Sequence, residues 1–284
     1  MRKWTLTLTL VLNLFVAAGL KAQEIGLILL GDTGEINQDR DRVAKAIKTY
    51  CQVEICTVVL LLGDNFYNTG VTSVDDPQFK TKFEDPYKEL KLRFFPVLGN
   101  HDALGNWQAE IDYTSERWNL IARYYKLDLK LVNLYALDTN LYVLNKNIVS
   151  NPAVRKQQNI WLKNQLTDST AEWKIVYGHH PVFSSGMHSD TKALIEDIKP
   201  LLQKYQVDFY ISGHDHDKEL IEQNGTKYII SGTGSKSRPI TKSEKSQFAA
   251  STYGFAHLLF KNNTAILRFV DENGKIEFQR EYKK

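Results

Sequence analysis

The feature that most constrains this chain is one pattern repeated along most of its length. A short apolar run ends in a glycine-containing loop bearing Asp, Asn or His, and a helical stretch usually follows. Ile25–Leu30 runs into Gly31–Gly34, with a helix expected about Arg40–Tyr50. Thr57–Leu62 runs into Gly63–Tyr67, with a helical patch near Phe79–Leu90. Phe95–Leu98 runs into Gly99–Asp102. Val132–Leu137 ends at Asp138, and a helix is expected about Pro152–Leu166, where Pro152 suits the first helical position because its missing N–H is not needed there. Trp173–Tyr177 runs into Gly178–Pro181, followed by a helix about Thr191–Tyr205, and Val207–Ile211 runs into Gly213–His216. Continuous apolar runs of this length read as buried strands covered by helices.

After His216 the pattern changes. Leu220–Glu222 and Tyr228–Ser231 flank Asn224-Gly225, a pair that accepts positive φ and so marks a tight hairpin. Phe255–Phe260, Ala265–Val270 and Lys275–Arg280 read as closing antiparallel strands. The expected class is therefore α/β with an antiparallel, α+β contribution. No repeat or Pro/Gly-rich linker divides residues 23–284, which read as a single domain.

Residues 1–22 stand apart. Arg2 and Lys3 precede an apolar run from Trp4 to Leu20, and Ala22 offers a small residue for cleavage. That is the layout of a secretory signal peptide; the alternative is an uncleaved anchor, since about 17 apolar residues sit at the lower edge of a spanning helix. Lys21 closes the run early, which favours cleavage and a secreted, periplasmic or otherwise extracytoplasmic location, with no stable membrane insertion afterwards. Net charge is +3, from 36 basic and 33 acidic residues, and no basic run is present, so nucleic acid is not an expected partner. The two cysteines, Cys51 and Cys56, allow a local staple or two free thiols but no thiolate metal site. Asn224-Gly225-Thr226 and Asn262-Asn263-Thr264 fit glycosylation sequons.

The polar residues at the strand ends are of one chemical kind. They are Asp32, Asp64, Asn100, His101, Asp102, His179, His180, His214 and His216, and five of the chain's seven histidines fall in these loops. His188 lies just beyond one of them, and His257 is alone on an apolar strand, as a core histidine would be. Any single motif can be a turn or a helix cap. Five separate loops each delivering an oxygen or imidazole are hard to explain by packing, because buried carboxylates and imidazoles need partners. A pair of metal ions provides them. Imidazole mixed with carboxylate and amide oxygen suits Zn, Fe or Mn, and a shared carboxylate suits two ions acting together on phosphorus.

The ordered set Gly-Asp-Thr-Gly, Gly-Asp-Asn-Phe-Tyr, Gly-Asn-His-Asp, Gly-His-His-Pro and Gly-His-Asp-His resembles that of the calcineurin-like metallophosphoesterases. Leu104-Gly105-Asn106, Asp138-Thr139 and Trp161-Leu162 fall where that family has similar residues. Within the superfamily, Tyr67 makes the chain similar to the purple acid phosphatases of the small mammalian, tartrate-resistant type. The resemblance implies a four-layer sandwich of two packed mixed sheets flanked by helices. It implies an acid phosphatase that hydrolyses phosphate monoesters with a hydroxide nucleophile at a dinuclear Fe(III)–M(II) centre, M being Fe, Zn or Mn. Fe(III) would take Asp32, Tyr67 and His216, the divalent ion Asn100, His179 and His214, and Asp64 would bridge. His101 and His188 would contact the phosphate and protonate the leaving oxygen, with Asp102 orienting His101. His180 stands where relatives often carry an aromatic residue and Ala103 replaces a polar one; both border the pocket, where substrate preference is set. The implied substrates are small phosphorylated molecules or phosphoproteins; the sequence does not fix the oligomeric state, and a monomer is the favoured expectation.

Two other readings frame these expectations. One is a Mn- or Zn-dependent phosphodiesterase or pyrophosphatase on the same fold, which Tyr67 and His188 argue against. The other is an exported binding protein with structural ions. Structural sites are usually closed by protein ligands, whereas seven ligands for two ions leave positions open.

Overall fold

The computed structural model describes residues 24–143 and 152–284; the segment read as a signal peptide, 1–22, and its boundary at residue 23 lie outside them. The chain opens in one sheet, crosses to a second, and returns to close the first. β1 (Glu24–Leu30), β2 (Val58–Leu61) and β3 (Arg93–Pro96) come first. β4 (Tyr125–Asp128), β5 (Val132–Ala136), β6 (Trp173–Tyr177), β7 (Phe209–Ser212), β8 (Lys218–Gln223), β9 (Thr226–Ser231) and β10 (Ser246–Ala250) form the second. β11 (Gly254–Lys261), β12 (Thr264–Asp271) and β13 (Ile276–Lys283) complete the first. The six-stranded sheet runs β13-β12-β11-β1-β2-β3 and the seven-stranded sheet β10-β8-β9-β7-β6-β5-β4. β1, β2 and β3 are parallel, as are β5, β6, β7 and β9, while β11 joins β1 antiparallel.

Alternation along the central strands builds the layers. Leu134, Ala136, Ile175, Tyr177, Phe209 and Ile211 join the large core shared with the first sheet. Tyr135, Val176 and Tyr210 point the other way, into a second core. Leu162 of α4 (the fourth helix, after α1 Gln38–Tyr50, α2 Asp85–Tyr87 and α3 Trp107–Asp112; Pro152–Thr167) packs there, with Leu194 of α5 (Lys192–Asp197) and Leu202 of α6 (Lys199–Lys204). Val43 and Ile47 bury one face of α1 in the large core. Each such aliphatic side chain contributes roughly 1.5–3 kcal/mol of burial. The result is two packed mixed sheets flanked by helices, as the motif set implied.

Three differences from the expected elements have local causes. The helix expected over 191–205 divides at Ile198, because Pro200 lacks the N–H a continuous helix needs and is accommodated only in the first turn of α6. β4 and β10 were not anticipated: both are sheet edges, and their short, mixed sequences lack the apolar run of a central strand. The six-residue α3 is too short to show helical periodicity. The hairpin forms as expected, with Asn224 at φ 51° and Gly225 at φ 85°. Cys51 and Cys56 are bridged just after α1, with Cα atoms 5.5 Å apart.

Candidate metal centre

The loops that leave the C-terminal ends of β1, β2, β3, β6 and β7 converge, and their backbone conformations are unusual. Asp32, Asp64 and His214 have φ of 59°, 52° and 70°. Left-handed backbone at non-glycine residues costs about 1 kcal/mol or more and persists where the surroundings enforce it. Here Asp32 N donates to Gly63 O at 3.0 Å, and His214 N to Asp32 Oδ2 at 2.9 Å. Gly99 is required by contact: a Cβ there would lie 2.1 Å from Asp64 N.

The side chains gather in two groups joined by Asp64. In the first, Tyr67 Oη donates to Asp32 Oδ1 at 3.0 Å and lies 3.2 Å from His216 Nε2. In the second, His179 Nε2 is 3.0 Å from both Asn100 Oδ1 and His214 Nδ1. Asp64 Oδ1 is 3.4 Å from His179 Nε2, and ligand atoms of Asp32, Asp64 and His179 all lie within 4.8 Å of one another. All seven residues expected to bind metal therefore face one small volume.

The donor set fits cations. His179 Nδ1 is 2.8 Å from Leu62 O, and a carbonyl only accepts, so that nitrogen carries the proton. His179 Nε2 then presents a lone pair to Asn100 Oδ1 and Asp64 Oδ1, two further acceptors. Such a convergence is repulsive unless a positive ion lies among the lone pairs. The ionisation of the group agrees. Burial, reinforced by Asp64, pushes the Asp32 carboxyl up to about 8, with the hydrogen bonds from Tyr67 and from the His214 backbone opposing. Burial likewise raises the Tyr67 phenol and holds His214 well below its ordinary range. His216 falls to about 4, from burial first and then the nearby Arg238. Burial thus favours neutral imidazoles at His214 and His216, while Asp32 and Tyr67 lack the counter-charge that would ionise them.

The surrounding residues divide differently from the expectation. Asp102 does not orient His101. Its carboxylate accepts from the backbone N–H groups of Asn65, Phe66 and Gly99 at 2.8–3.1 Å, which ties the two loops carrying Asp64 and Asn100 together. The His101 ring is held instead by Asn68 O, 2.5 Å from Nδ1, and its Nε2 lies 3.9 Å from Asp64 Oδ2. His188 lies with its ring against His214, centroids 4.2 Å apart, and its Nε2 is 2.7 Å from Arg238 Nη1. His180 is buried beside His214, held by Thr139 Oγ1 at 2.8 Å, and its ring nitrogen falls within 4.8 Å of ligand atoms of His179 and His214. A cavity of about 590 Å³ opens next to this group, lined by Leu141, Tyr142, His180, His188, Thr191 and His214.

No role for three contributors is legible in the sequence, Thr139 among them although its position matches the family. Thr139 anchors the His179 and His180 amides at 3.2 and 2.9 Å. Lys236 holds its ammonium 3.9 Å from the centre of the Tyr67 ring, and Arg238 reaches His188. The one available signal for the last two was a pair of basic residues just past the Gly232-Thr-Gly turn that follows β9.

Two packed mixed sheets with a candidate metal-donor cluster at the parallel strand ends are the arrangement of a metallophosphoesterase. The model of the calcineurin-like phosphoesterase family matches residues 26–218. The chain is 32% identical to tartrate-resistant acid phosphatase type 5 of Oryctolagus cuniculus, with 98% of this chain and 97% of that one aligned. Among solved structures it is similar to GAP50, the anchor in the inner membrane complex of Plasmodium, with a TM-score of 0.83 and 28% identity over 92% of this chain and 89% of that one. The purple acid phosphatase PPD1 from yellow lupin (Lupinus luteus) seeds shares the fold at a TM-score of 0.74 and 16% identity, over 93% of this chain and 54% of that one. The chain belongs to the calcineurin-like phosphoesterase family, and it is a hydrolase related to the acid phosphatases. Among the described residues, no helix is long and apolar enough to cross a membrane.

Proposed function

We propose that this chain is an exported acid phosphatase of the purple type, which hydrolyses small phosphate monoesters at a dinuclear centre. The observation that carries the reading is Tyr67, whose hydroxyl lies within 3.2 Å of both Asp32 and His216. Asp32, Tyr67 and His216 would hold Fe(III), a hard ion suited to phenolate and carboxylate oxygen. Asn100, His179 and His214 would hold Fe, Zn or Mn as the divalent ion, with Asp64 shared. When bound, the pair would supply charge to neutralise the phosphate and would lower the pKa of water. Export is supported by the charged and apolar layout of residues 1–22.

The chain's own groups handle protons and orientation. Asn68 O accepts a hydrogen bond from His101 Nδ1–H, which leaves Nε2 turned toward Asp64; as the cation, the ring would carry a proton on Nε2 to hand to the leaving oxygen. His188 is suited to a different task. A guanidinium only donates, so His188 Nε2 accepts from Arg238 and the ring offers Nδ1–H instead. Desolvation of its stacked face lowers the His188 pKa, Asp215 opposing and Arg238 adding to the effect. A neutral His188 can orient a phosphate oxygen by hydrogen bonding.

The test is the visible spectrum of the iron-loaded protein together with hydrolysis of p-nitrophenyl phosphate on the acidic side of neutral. The wild type should be coloured and active, and Tyr67→Phe should lose the visible band. A Tyr67→Phe protein that kept its colour would sink the assignment. A colourless, Mn-dependent enzyme preferring bis(p-nitrophenyl) phosphate would point to the phosphodiesterase instead.

A further inference from the structure

We propose that Arg238 is a substrate-binding residue that grips an oxygen of the phosphate being hydrolysed and so sets the affinity of the site for phosphate; this rests on the phosphatase reading above. The loop carrying it is stitched to the site at several points. Gly234 N donates to Gly31 O and Ser235 N to Asp32 O, each at 3.0 Å, and Arg238 N donates to His216 O at 2.8 Å. Ser235 Oγ also donates to Asp32 O, at 2.5 Å. The backbone of Arg238 is therefore positioned by the same residues that are proposed to hold the ferric ion.

Its side chain is then short of a partner. Arg123, Arg155 and Arg268 each face a carboxylate, from Asp138, Asp197 and Glu54. Among the described residues, no carboxylate lies within ion-pair distance of Arg238, whose one side-chain bond is Nη1 to the neutral acceptor His188 Nε2 at 2.7 Å. Arg93 also lacks an acidic partner, but it is exposed at the start of β3 and bonds Asn119. Lys236, two residues before Arg238, is already engaged, with Glu35 at 3.0 Å and the Tyr67 ring beneath it. Arg238 is partly buried, permanently charged and carries five N–H donors, most of them unspent. A guanidinium in that condition beside an oxyanion site matches a phosphate edge in charge and geometry. His188, fixed by the same bond with Nδ1–H free, adds a second donor.

The experiment uses metal-loaded wild type, R238Q and R238K. Calorimetric titration with inorganic phosphate reads affinity without turnover, and p-nitrophenyl phosphate kinetics separate KM from kcat. R238Q should weaken phosphate binding roughly tenfold or more, the scale of one charge-assisted hydrogen bond, and raise KM by a similar factor with a smaller change in kcat. R238K should recover part of the loss. Phosphate affinity within twofold of wild type in an R238Q protein that keeps its metals and melting temperature would overturn the proposal. If R238Q loses metal, R238K decides: a loss of threefold or more supports the grip and an unchanged affinity overturns it. A wild type that binds phosphate but leaves p-nitrophenyl phosphate intact would instead refute the phosphatase reading, with the effect of Arg238 on binding still measurable.

Discussion

His257 and His179 are both fully buried imidazoles, and each has one nitrogen on a backbone carbonyl. At His257, Nε2 meets Ile55 O and Nδ1 meets Tyr50 Oη, each at 2.9 Å, and Arg268 Nη1 donates to Tyr50 in turn at 3.1 Å. Every donor in that chain has an acceptor. At His179 the second nitrogen meets Asn100 Oδ1, His214 Nδ1 and Asp64 Oδ1, and with the ring proton spent on Leu62 O the neutral imidazole has no N–H for either oxygen. Both are buried histidines in the sequence sense, yet one is finished by the protein and the other is left open to a cation. The direction in which lone pairs point separates a core residue from a ligand; burial alone does not.

The severest challenge to that contrast is Asp64→Ala. Removing the shared carboxylate should strip metal from both groups and lower kcat by on the order of a thousandfold, with metal content measured directly; a variant that retained two ions per chain would contradict the joined site. Next is the acid stability of the finished histidine. Burial holds His257 at about 4 against an ordinary value of about 6.5, so its folded form is the neutral one. The stability this contributes is complete above pH 6.5 and is lost as pH falls toward 4, on the order of 3 kcal/mol in all. Urea unfolding of the chelator-treated, metal-free protein at pH 7 and pH 4.5 should show a smaller drop in His257→Gln than in wild type; equal drops would remove His257 from the acid response. Smaller still, His101→Ala should slow alkyl phosphates about a hundredfold and p-nitrophenyl phosphate much less, because only a poor leaving group needs the proton. Equal losses on both substrates would deny His101 that role.

How much of this was legible in the sequence follows from where each residue sits. Asp32, Asp64, Asn100, His179, His214 and His216 directly follow apolar runs, so strand and ligand announce each other. Tyr67 and His188 have no such signal and were reached through the resemblance. Arg238 belongs to a polar loop without periodicity, and its partner lies fifty residues earlier in the chain, so only the folded arrangement brings the two together. The role of Asp102 is not legible from its place beside His101, because its three backbone donors lie on two different loops. The edge strands β4 and β10 escaped for the opposite reason: half in water, they need no apolar run to be stable where they are.

The antiparallel pairing of β1 with β11 carries a consequence for the order of assembly during synthesis. Leu27 pairs with Leu258, so one edge of β1 stays bare until the last quarter of the chain has emerged. β1 and β2 can join early, but Ser231, Ser235 and Arg238, which fasten the loops around Asp32 and His216, are all made late. Long-range closures of this kind are slow and come near the end of folding. The growing polypeptide therefore carries scattered carboxylates and imidazoles rather than a chelator, and on the proposed reading tight binding of ions would wait for the completed molecule.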